Sequence, residues 1–234
     1  MSSRLGERVL GATSQKVAWV LVGALVTVGQ QVSGQTDAYP VRPQLLPESE
    51  EIMLAMSAAP KEVSAKATIY VLRATGPTKA REGGNGCTCM VSRDLHQGSL
   101  YPMCFDQEAT RTAFPQELME LRLRFEGETE AEVSSAVGAA YASGALERPA
   151  RAAVIYMMSP RQVLFSSPLP DGVRVGAWHP HLMIAIPNAT GEQLGFGQDG
   201  SAGDLSLEGS GEPGAKLIVP VAKWADSTKV AASE

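Results

Sequence analysis

The sequence predicts an α+β domain in which a mostly antiparallel sheet packs against a central helical hairpin. Segments rich in β-branched and apolar residues, typical of strands, fall into two groups, before residue 93 and after residue 152. A stretch with helical spacing of its apolar residues, 114–144, separates the two groups. Hydrophobic residues make up 44% of the 234 residues, which is enough to build a buried core. Strands, a helical pair and strands again are the order expected of an α+β fold.

The N-terminus has the three parts of a secretory signal peptide. Arg4, Arg8 and Lys16 make it basic, the apolar run 17–28 follows, and small and polar residues lead to Gly34. The apolar run of about twelve residues spans roughly 18 Å as a helix, which is short of the ~30 Å hydrocarbon core of a bilayer. We expect residues 1–34 to be a cleaved signal peptide; the alternative is an uncleaved membrane anchor.

The remaining chain divides into three parts. Residues 35–47 contain several prolines and are expected to form an extended leader. Residues 48–225 are expected to form the single α+β domain, and residues 226–234 a frayed C-terminal tail. The formal net charge of −5 argues against a general nucleic-acid binder, because such a protein needs a basic face.

The first elements of the domain are a short helix and a group of strands. A helix is predicted over 49–57, capped by Ser49 and followed by Pro60. Strands are predicted over 68–72 and 87–92. A turn at Gly76–Pro77 and a glycine-rich segment at 83–86 separate them, so we expect a β-meander.

The central hairpin is predicted from two amphipathic stripes. The first stripe contains Phe114, Leu118, Leu121 and Phe125, begins beside Pro115 in the first helical turn, and ends at Gly127. Thr129 and Glu132 form a capping box that starts the second helix, and Gly144 ends it. The short connection predicts antiparallel packing, with both stripes facing the sheet. The arginines near this pair, Arg111, Arg122 and Arg124, are expected on its solvent side.

The second group of strands follows Pro149. The continuous apolar run 153–158 predicts a central strand. Further strands are predicted on either side of a turn at 168–172 and towards the C-terminus, over 162–165, 173–175, 181–186 and 216–221. The glycine-rich segment 195–214 is expected to be a flexible loop. Its four acids, Asp199, Asp204, Glu208 and Glu212, are expected to be solvated rather than to bind calcium, because their spacing fits no EF-hand.

Three cysteines would fold in an oxidising compartment if the chain is exported. Cys87 and Cys89 lie two residues apart on a predicted strand, where their Cα atoms are roughly 6.5–7 Å apart and their side chains point the same way. This geometry does not suit a disulfide between them, so Cys104 is expected to pair with one of the two. A redox or metal function of the Cys-Thr-Cys segment is the alternative.

Two histidines flank Pro180 and suggest a metal site. His179 and His181 share a face if the segment is extended, and neutral imidazole is a good ligand for a transition metal. A third ligand would be His96 or a carboxylate that is distant in the sequence. We favour the alternative, in which both histidines are hydrogen-bonded at the mouth of a strand and bind no metal.

A methionine-rich pocket is a second candidate site. Tyr156 and Met158 lie on the predicted central strand and Met183 on a later one, and methionine sulfur suits an apolar or aromatic ligand. Packing of the same residues in the core is the favoured alternative. Asn188-Ala-Thr190 matches a glycosylation acceptor, but the match is short and the leader is bacterial in style.

Four segments resemble a group of exported bacterial proteins that have no assigned function. They are Asn85-Gly-Cys-Thr-Cys-Met90, Pro102-Met-Cys-Phe-Asp106, Tyr156-Met-Met-Ser-Pro160 and Pro180-His-Leu-Met183. The resemblance extends roughly over residues 50–222 and implies a single exported domain, but no reaction, cofactor or catalytic residue. The group has an aromatic residue where this chain has Cys87, and this difference favours a bridge between Cys89 and Cys104.

No motif for a serine hydrolase, a zinc protease or a phosphate-binding loop occurs in the sequence. We therefore expect a secreted or periplasmic domain without a cofactor that binds a small ligand or an envelope protein, without catalysis. It is expected to bind no nucleic acid and to keep no membrane span after processing. The alternatives are a metal-dependent hydrolase, which would use His179, His181 and a carboxylate such as Asp106, and a thiol-based envelope redox protein.

Overall fold

The computed structural model describes residues 45–94, 98–165, 174–175, 178–197 and 200–225. The predictions for the signal peptide, for nearly all of the leader, for the C-terminal tail and for His96 lie outside these residues. The helices are α1 (Glu48–Met56), α2 (Lys61–Ser64), α3 (Gln107–Glu126) and α4 (Glu130–Ser143). The strands are β1 (Thr68–Arg73), β2 (Gly76–Arg81), β3 (Thr88–Asp94), β4 (Ser99–Phe105), β5 (Val154–Met157), β6 (Leu164–Phe165), β7 (Arg174–Val175), β8 (His181–Ala185), β9 (Ser201–Ala202), β10 (Leu205–Glu208) and β11 (Lys216–Pro220).

The main sheet has nine strands in the order β2-β1-β3-β4-β5-β8-β11-β10-β9. Strands β1 and β3 pair in parallel, and the other neighbouring pairs in this order are antiparallel. Strand β5 is the middle strand, as its apolar sequence predicted. Strands β6 and β7 form a separate two-stranded ribbon. Helices combined with a mixed sheet agree with the α+β class.

The predicted β-meander is wrong in its strand order. Strand β1 lies between β2 and β3, so β3 pairs with β1 and not with β2. The cause is the polarity of β2, which contains Pro77 and the exposed Lys79. Proline and lysine are tolerated at a sheet edge but disrupt an interior strand. The apolar β1 and β3 therefore occupy the interior.

The sheet separates two parts of the core. Leu54 and Ala55 of α1 pack against one face, where Cys89 and Val91 of β3 are fully buried. Phe114 and Leu121 of α3 pack against the other face. The buried residues on that second face include Met90, Met103, Phe105, Ile155, Met157 and Met183. Met90 lies between Cys89 and Val91 on β3, and its side chain points to the other face because successive side chains along a strand alternate between the two faces.

Helix α3 begins earlier than its apolar stripe predicted. The Asp106 carboxylate caps it by accepting a hydrogen bond of 2.7 Å from the Ala109 backbone N–H. Pro115 therefore lies inside the helix and not in its first turn. The apolar pattern does not mark this start, because the first turns carry few large apolar residues. Gly127 ends the helix at φ 97°, where a side chain would be strained.

Helix α4 starts with the predicted capping box of Thr129 and Glu132 and ends at Gly144. Its packing differs from the prediction. Only Val133 and Tyr141 of α4 are buried, and the helix packs mainly along α3 rather than on the sheet. A stripe composed largely of alanine and valine suffices for contact with one helix, while the larger side chains of α3 cover the sheet.

Two further predictions are corrected. Helix α1 is preceded by Pro47, and Ser49 lies inside it, so Ser49 does not cap the helix; Pro60 precedes α2.

The segment 195–214 is not simply a loop, because it contains β9 and β10, which extend the sheet beyond β11. Gly203 adopts φ 64° between these two strands, which explains how a glycine-rich sequence makes their tight turn. Within the described residues, no helix is long and apolar enough to cross a membrane.

Candidate functional site

A cleft of about 340 Å³ opens between α3, α4 and the segment 212–214 that precedes β11. Its size lies at the lower end of the range for small-molecule sites. The side chains around it are mostly polar, and two valines of α4 add an apolar wall. The lining residues are Gln116, Glu120, Arg124, Glu130, Val133, Ser134, Val137, Gly138, Tyr141, Glu212, Pro213 and Gly214.

Helical spacing brings these groups to one side. Gln116, Glu120 and Arg124 follow one another at intervals of four residues, so they form a single row along α3. On α4, the buried Val133 and Tyr141 lie eight residues apart on the face that meets α3. The two helices run antiparallel, so the row on α3 faces α4 along the length of the cleft.

A continuous chain of hydrogen bonds follows this row. Tyr141 Oη donates to Gln116 Oε1 at 2.7 Å, and Gln116 Nε2 donates to Glu120 Oε1 at 2.7 Å. The Arg124 guanidinium lies 3.1 Å from the other oxygen of Glu120. It also donates to both oxygens of Glu130, at 2.8 and 3.2 Å. Such a bidentate arrangement fixes the guanidinium in one orientation.

Gly214 allows the third wall to approach closely. A Cβ atom at this position would lie 2.7 Å from Gln116 Oε1, the atom that accepts the Tyr141 hydroxyl. A Cβ atom there would have to push the Gln116 amide aside, so the glycine lets the chain before β11 lie against this amide. Gly138 on α4 is different, since a Cβ atom there would meet no atom within 4 Å.

The charge of the cleft is negative. Three carboxylates line it, those of Glu120, Glu130 and Glu212, against the single guanidinium of Arg124. Burial raises the pKa of the Glu130 carboxyl above its ordinary value. The residue Tyr141 is only 7% exposed, and burial likewise raises the pKa of its hydroxyl. A cleft of this kind can hold a polar molecule through oriented acceptors.

A second group of charges lies beside the cleft. Ser92 Oγ on β3 donates a hydrogen bond to Glu117 on α3. Burial raises the pKa of Glu117, and the neighbouring Glu120 adds to this rise, while Ser92, Lys216 and Arg124 partly oppose it. Burial lowers the pKa of Lys216, but the attraction of Glu208, Glu117 and Glu120 more than offsets that effect, so its pKa is raised. Lys216 Nζ lies 3.2 Å from Glu208 Oε1.

The two histidines of the metal hypothesis differ in exposure. His181 is 2% exposed, and its Nδ1 forms a 2.8 Å hydrogen bond with the His179 carbonyl oxygen, whereas the His179 side chain is exposed. Trp178 packs edge-on against the His181 ring. Burial lowers the pKa of His181. Among the described residues, no three histidine, cysteine, aspartate or glutamate side chains are grouped to hold a metal ion.

The cysteines lie on the face of the sheet that α1 covers. Cys89 and Cys104 are opposite each other on β3 and β4, with Cα atoms 4.0 Å apart, and are joined by a disulfide. Cys87 is free and half-buried just before β3. Burial raises the pKa of the Cys87 thiol, and the nearby Asp106 carboxylate raises it further, so the thiol is poorly ionised at neutral pH.

The structure does not bring the three residues of the predicted methionine pocket together. Met183 lies with the core residues under α3, and Tyr156 packs on the opposite side of the sheet with the residues under α1. The backbone of Met158 bonds to Ala58 and Ala225 beyond the end of β5. A ligand cannot contact Tyr156 and Met183 at once, because the sheet lies between them.

Sequence reasoning missed the cleft. Arg124 was expected on the solvent side, yet its side chain is only 17% exposed because two glutamates hold it. The spacing of Gln116, Glu120 and Arg124 was a visible signal, but their partners on α4 and at 212–214 could not be identified without the tertiary fold. No protein-family model, curated protein or solved structure matches the chain.

Proposed function

We propose that this chain acts outside the reducing cytosol as a non-catalytic binding domain whose α3–α4 cleft takes a small polar ligand. The observation that carries the proposal is the cleft itself, a concave space between two helices and a third segment that is lined by oriented polar groups. Concave sites with a few convergent polar groups are the usual location of small-molecule binding.

The pairing of the charged groups favours binding over chemistry. Glu120, Arg124 and Glu130 bond to one another, and Tyr141 and Gln116 are joined to the same chain of hydrogen bonds. Groups held in this way are fixed in position before a ligand arrives, which lowers the entropic cost of binding. General acid–base catalysis requires in addition a group free to exchange a proton with the substrate.

Export is supported by two independent features. The first 34 residues have the composition of a signal peptide, and the Cys89–Cys104 disulfide is compatible with an extracytoplasmic location. Mass spectrometry of the mature protein recovered from the periplasm or the medium tests this part. A first residue near position 35 is expected, and an intact chain recovered from the cytosol would contradict export.

The binding proposal is tested by filling the cleft. Gly138→Leu places a side chain at the cleft where a Cβ meets open space, and Ala139→Leu adds the same group at the next, exposed position of α4 as a matched control. Saturation-transfer NMR would measure the binding of three probes of equal carbon number: butylammonium, butyrate and butyramide.

We expect at least one probe to bind the wild type and Ala139→Leu, and to lose that binding in Gly138→Leu. Circular dichroism establishes that both variants are folded. If none of the three probes binds, or if Gly138→Leu binds as well as the wild type, the cleft is not the binding site and the proposed function is wrong.

A further inference from the structure

We propose that Cys87 exchanges with the Cys89–Cys104 disulfide, so that the domain interconverts between two bridge isomers whose free thiols lie at different depths. This exchange is independent of ligand binding, because it takes place on the α1 side of the sheet and not in the α3–α4 cleft. Two observations carry the proposal: the position of all three cysteines on one face of the sheet, and the unequal burial of Cys87 and Cys89.

The three cysteines lie on the face of the sheet that α1 covers. Cys89 and Cys104 are opposite each other on β3 and β4, and Cys87 packs against the same buried cluster. Side chains two positions apart on a strand point to the same face, so Cys87 is the diagonal neighbour of Cys104. Diagonal neighbours have Cα atoms roughly 7–8 Å apart, and a disulfide accepts up to about 6.8 Å. A shift of about 1–2 Å between the strands would therefore allow a bridge between them.

The end of β3 next to Cys87 allows this shift. The ladder between β3 and β4 ends at the pair Thr88 and Phe105, one position before Cys87. The Cys87 N–H donates to the Asn85 side chain at 3.1 Å, and the Cys87 carbonyl accepts from Thr68 of β1 at 2.8 Å. The thiol makes a long contact of 3.9 Å with the Asn85 carbonyl oxygen. Cys87 can therefore approach β4 without breaking a hydrogen bond of the β3–β4 ladder.

The exchange needs no oxidant, because it conserves one disulfide and one thiol. The Cys87 thiolate attacks Cys104 Sγ, the Cys87–Cys104 bond forms, and the Cys89–Cys104 bond breaks with its electron pair leaving on Cys89. Cys89 then takes up a proton from water, in place of the proton that Cys87 lost. Attack on Cys89 instead would require a bridge along one strand, where the extended backbone fixes a spacing that does not suit a disulfide.

The two isomers differ in the accessibility of their free thiol. Cys87 is half-buried, so a reagent can reach its thiol in the Cys89–Cys104 form. Cys89 is 0% exposed, so the free thiol of the Cys87–Cys104 form lies in the core under α1. An unpaired cysteine in an oxidising compartment is prone to pair with other molecules, and burying it prevents that pairing. The exchange therefore presents or hides the unpaired thiol of this three-cysteine chain.

Protonation of Cys87 controls the rate of the exchange. Burial raises the pKa of its thiol and the Asp106 carboxylate raises it further, so little thiolate is present at neutral pH. Tyr156 faces the thiol from β5. Burial raises the pKa of the Tyr156 hydroxyl, and Asp106 and Cys87 add to this rise, so the hydroxyl stays neutral where the thiol begins to ionise. The exchange rate should therefore rise about tenfold per pH unit, in step with the thiolate fraction.

Mapping of the free thiol tests the exchange. Native protein is incubated at pH 7 and at pH 9, quenched with acid, unfolded, and labelled with N-ethylmaleimide before the bridge is reduced. The tryptic peptide 82–93 contains both Cys87 and Cys89, and its fragmentation in the mass spectrometer shows which of the two carries the label. Cys87→Ser, which removes the attacking thiol and keeps nearly the same side-chain size, is the matched control.

We expect the label on Cys87 after incubation at pH 7, increasingly on Cys89 at pH 9, and on no cysteine of Cys87→Ser. Urea below the unfolding transition should leave the rate nearly unchanged, because the exchange takes place in the folded protein. Label that stays on Cys87 at pH 9 would overturn the inference, and so would label on Cys104, which would mean that Cys87 attacks Cys89. A rate that increases with urea in proportion to the unfolded fraction would also overturn it.

Discussion

The hydroxyl of Tyr141 on α4 lies 2.7 Å from the amide oxygen of Gln116 on α3, and this hydrogen bond links the two helices that bound the cleft. The nitrogen of the same amide donates a second hydrogen bond to Glu120 Oε1, also at 2.7 Å. Tyr141 is one of only two buried residues of α4, so the position of that helix depends on few contacts. The shape of the cleft is therefore sensitive to single substitutions at these positions.

Tyr141→Phe should lower the free energy of unfolding by about 1 kcal/mol, because it leaves the Gln116 oxygen without its partly buried donor. The ring and its contact with the Arg148 guanidinium are retained, so the loss reports the hydrogen bond. Urea denaturation measures it. Tyr70→Phe is the control, since the Tyr70 ring packs on Phe114 without a side-chain hydrogen bond among those described. Equal effects of the two substitutions would contradict the role given to the Tyr141 hydroxyl.

Two glycine substitutions should have opposite effects. Gly138→Ala should raise the free energy of unfolding by roughly 0.5–1 kcal/mol, because the site is an exposed helix interior with open space around the new methyl group. Gly214→Ala should lower it, because the new Cβ would lie 2.7 Å from Gln116 Oε1 and would displace an amide held at both ends. Thermal unfolding of both variants checks the two signs, and a stabilised Gly214→Ala would show that the close approach is not real.

Removal of the disulfide should destabilise the domain substantially. Cys89 and Cys104 are separated by 15 residues, and a closed loop of that length is worth roughly 3 kcal/mol by the chain-entropy estimate. Paired Cys89→Ala and Cys104→Ala substitutions should therefore lower the denaturation midpoint, while Cys87→Ala should change it little. Titration of unfolded, unreduced wild-type protein should find one free thiol per chain. Three free thiols would rule out the bridge.

Glu117→Gln should stabilise the protein at neutral pH. Burial raises the pKa of Glu117 in the folded state above its ordinary value of 4.5. A raised carboxyl pKa contributes stability below the unfolded value, and this contribution is lost as the pH rises through the folded value. The neutral amide removes that loss and can still bond to Ser92. Melting temperatures measured from pH 4 to 8 should show a smaller decline for Glu117→Gln than for the wild type.

Glu126→Gln, an exposed carboxylate on the same helix, is the control for this comparison. The wild-type and Glu126→Gln curves should run parallel over the same pH range. A Glu117→Gln variant that melts below the wild type at pH 7 would show that attraction to Lys216 and Arg124 outweighs the cost of burial.

Local signals predicted much of the secondary structure. The capping box of Thr129 and Glu132 and the terminating glycines at 127 and 144 act within a few residues of the chain, so the sequence alone locates them. The start of α3 at Asp106 was missed because a single capping carboxylate was outweighed by the later apolar stripe.

Long-range pairing was harder to predict. The parallel pairing of β1 with β3 depends on which strand can tolerate the sheet edge, a comparison between segments that lie well apart in the sequence. The cleft likewise depends on contacts such as that of Gly214 with Gln116, almost one hundred positions away. Tyr156 and Met183 were expected to line one methionine-rich pocket, but they lie on opposite faces of the sheet. The reason is that side chains at successive positions of a strand point to alternate faces.

The most direct test of the central claim is an amide chemical-shift titration of the ¹⁵N-labelled protein with butylammonium, butyrate and butyramide, carried out in parallel on Gly138→Leu. The account predicts shifts that concentrate on the facing sides of α3 and α4 and on residues 212–214, and that disappear in the variant. Shifts that concentrate elsewhere, or that persist unchanged in Gly138→Leu, would contradict it.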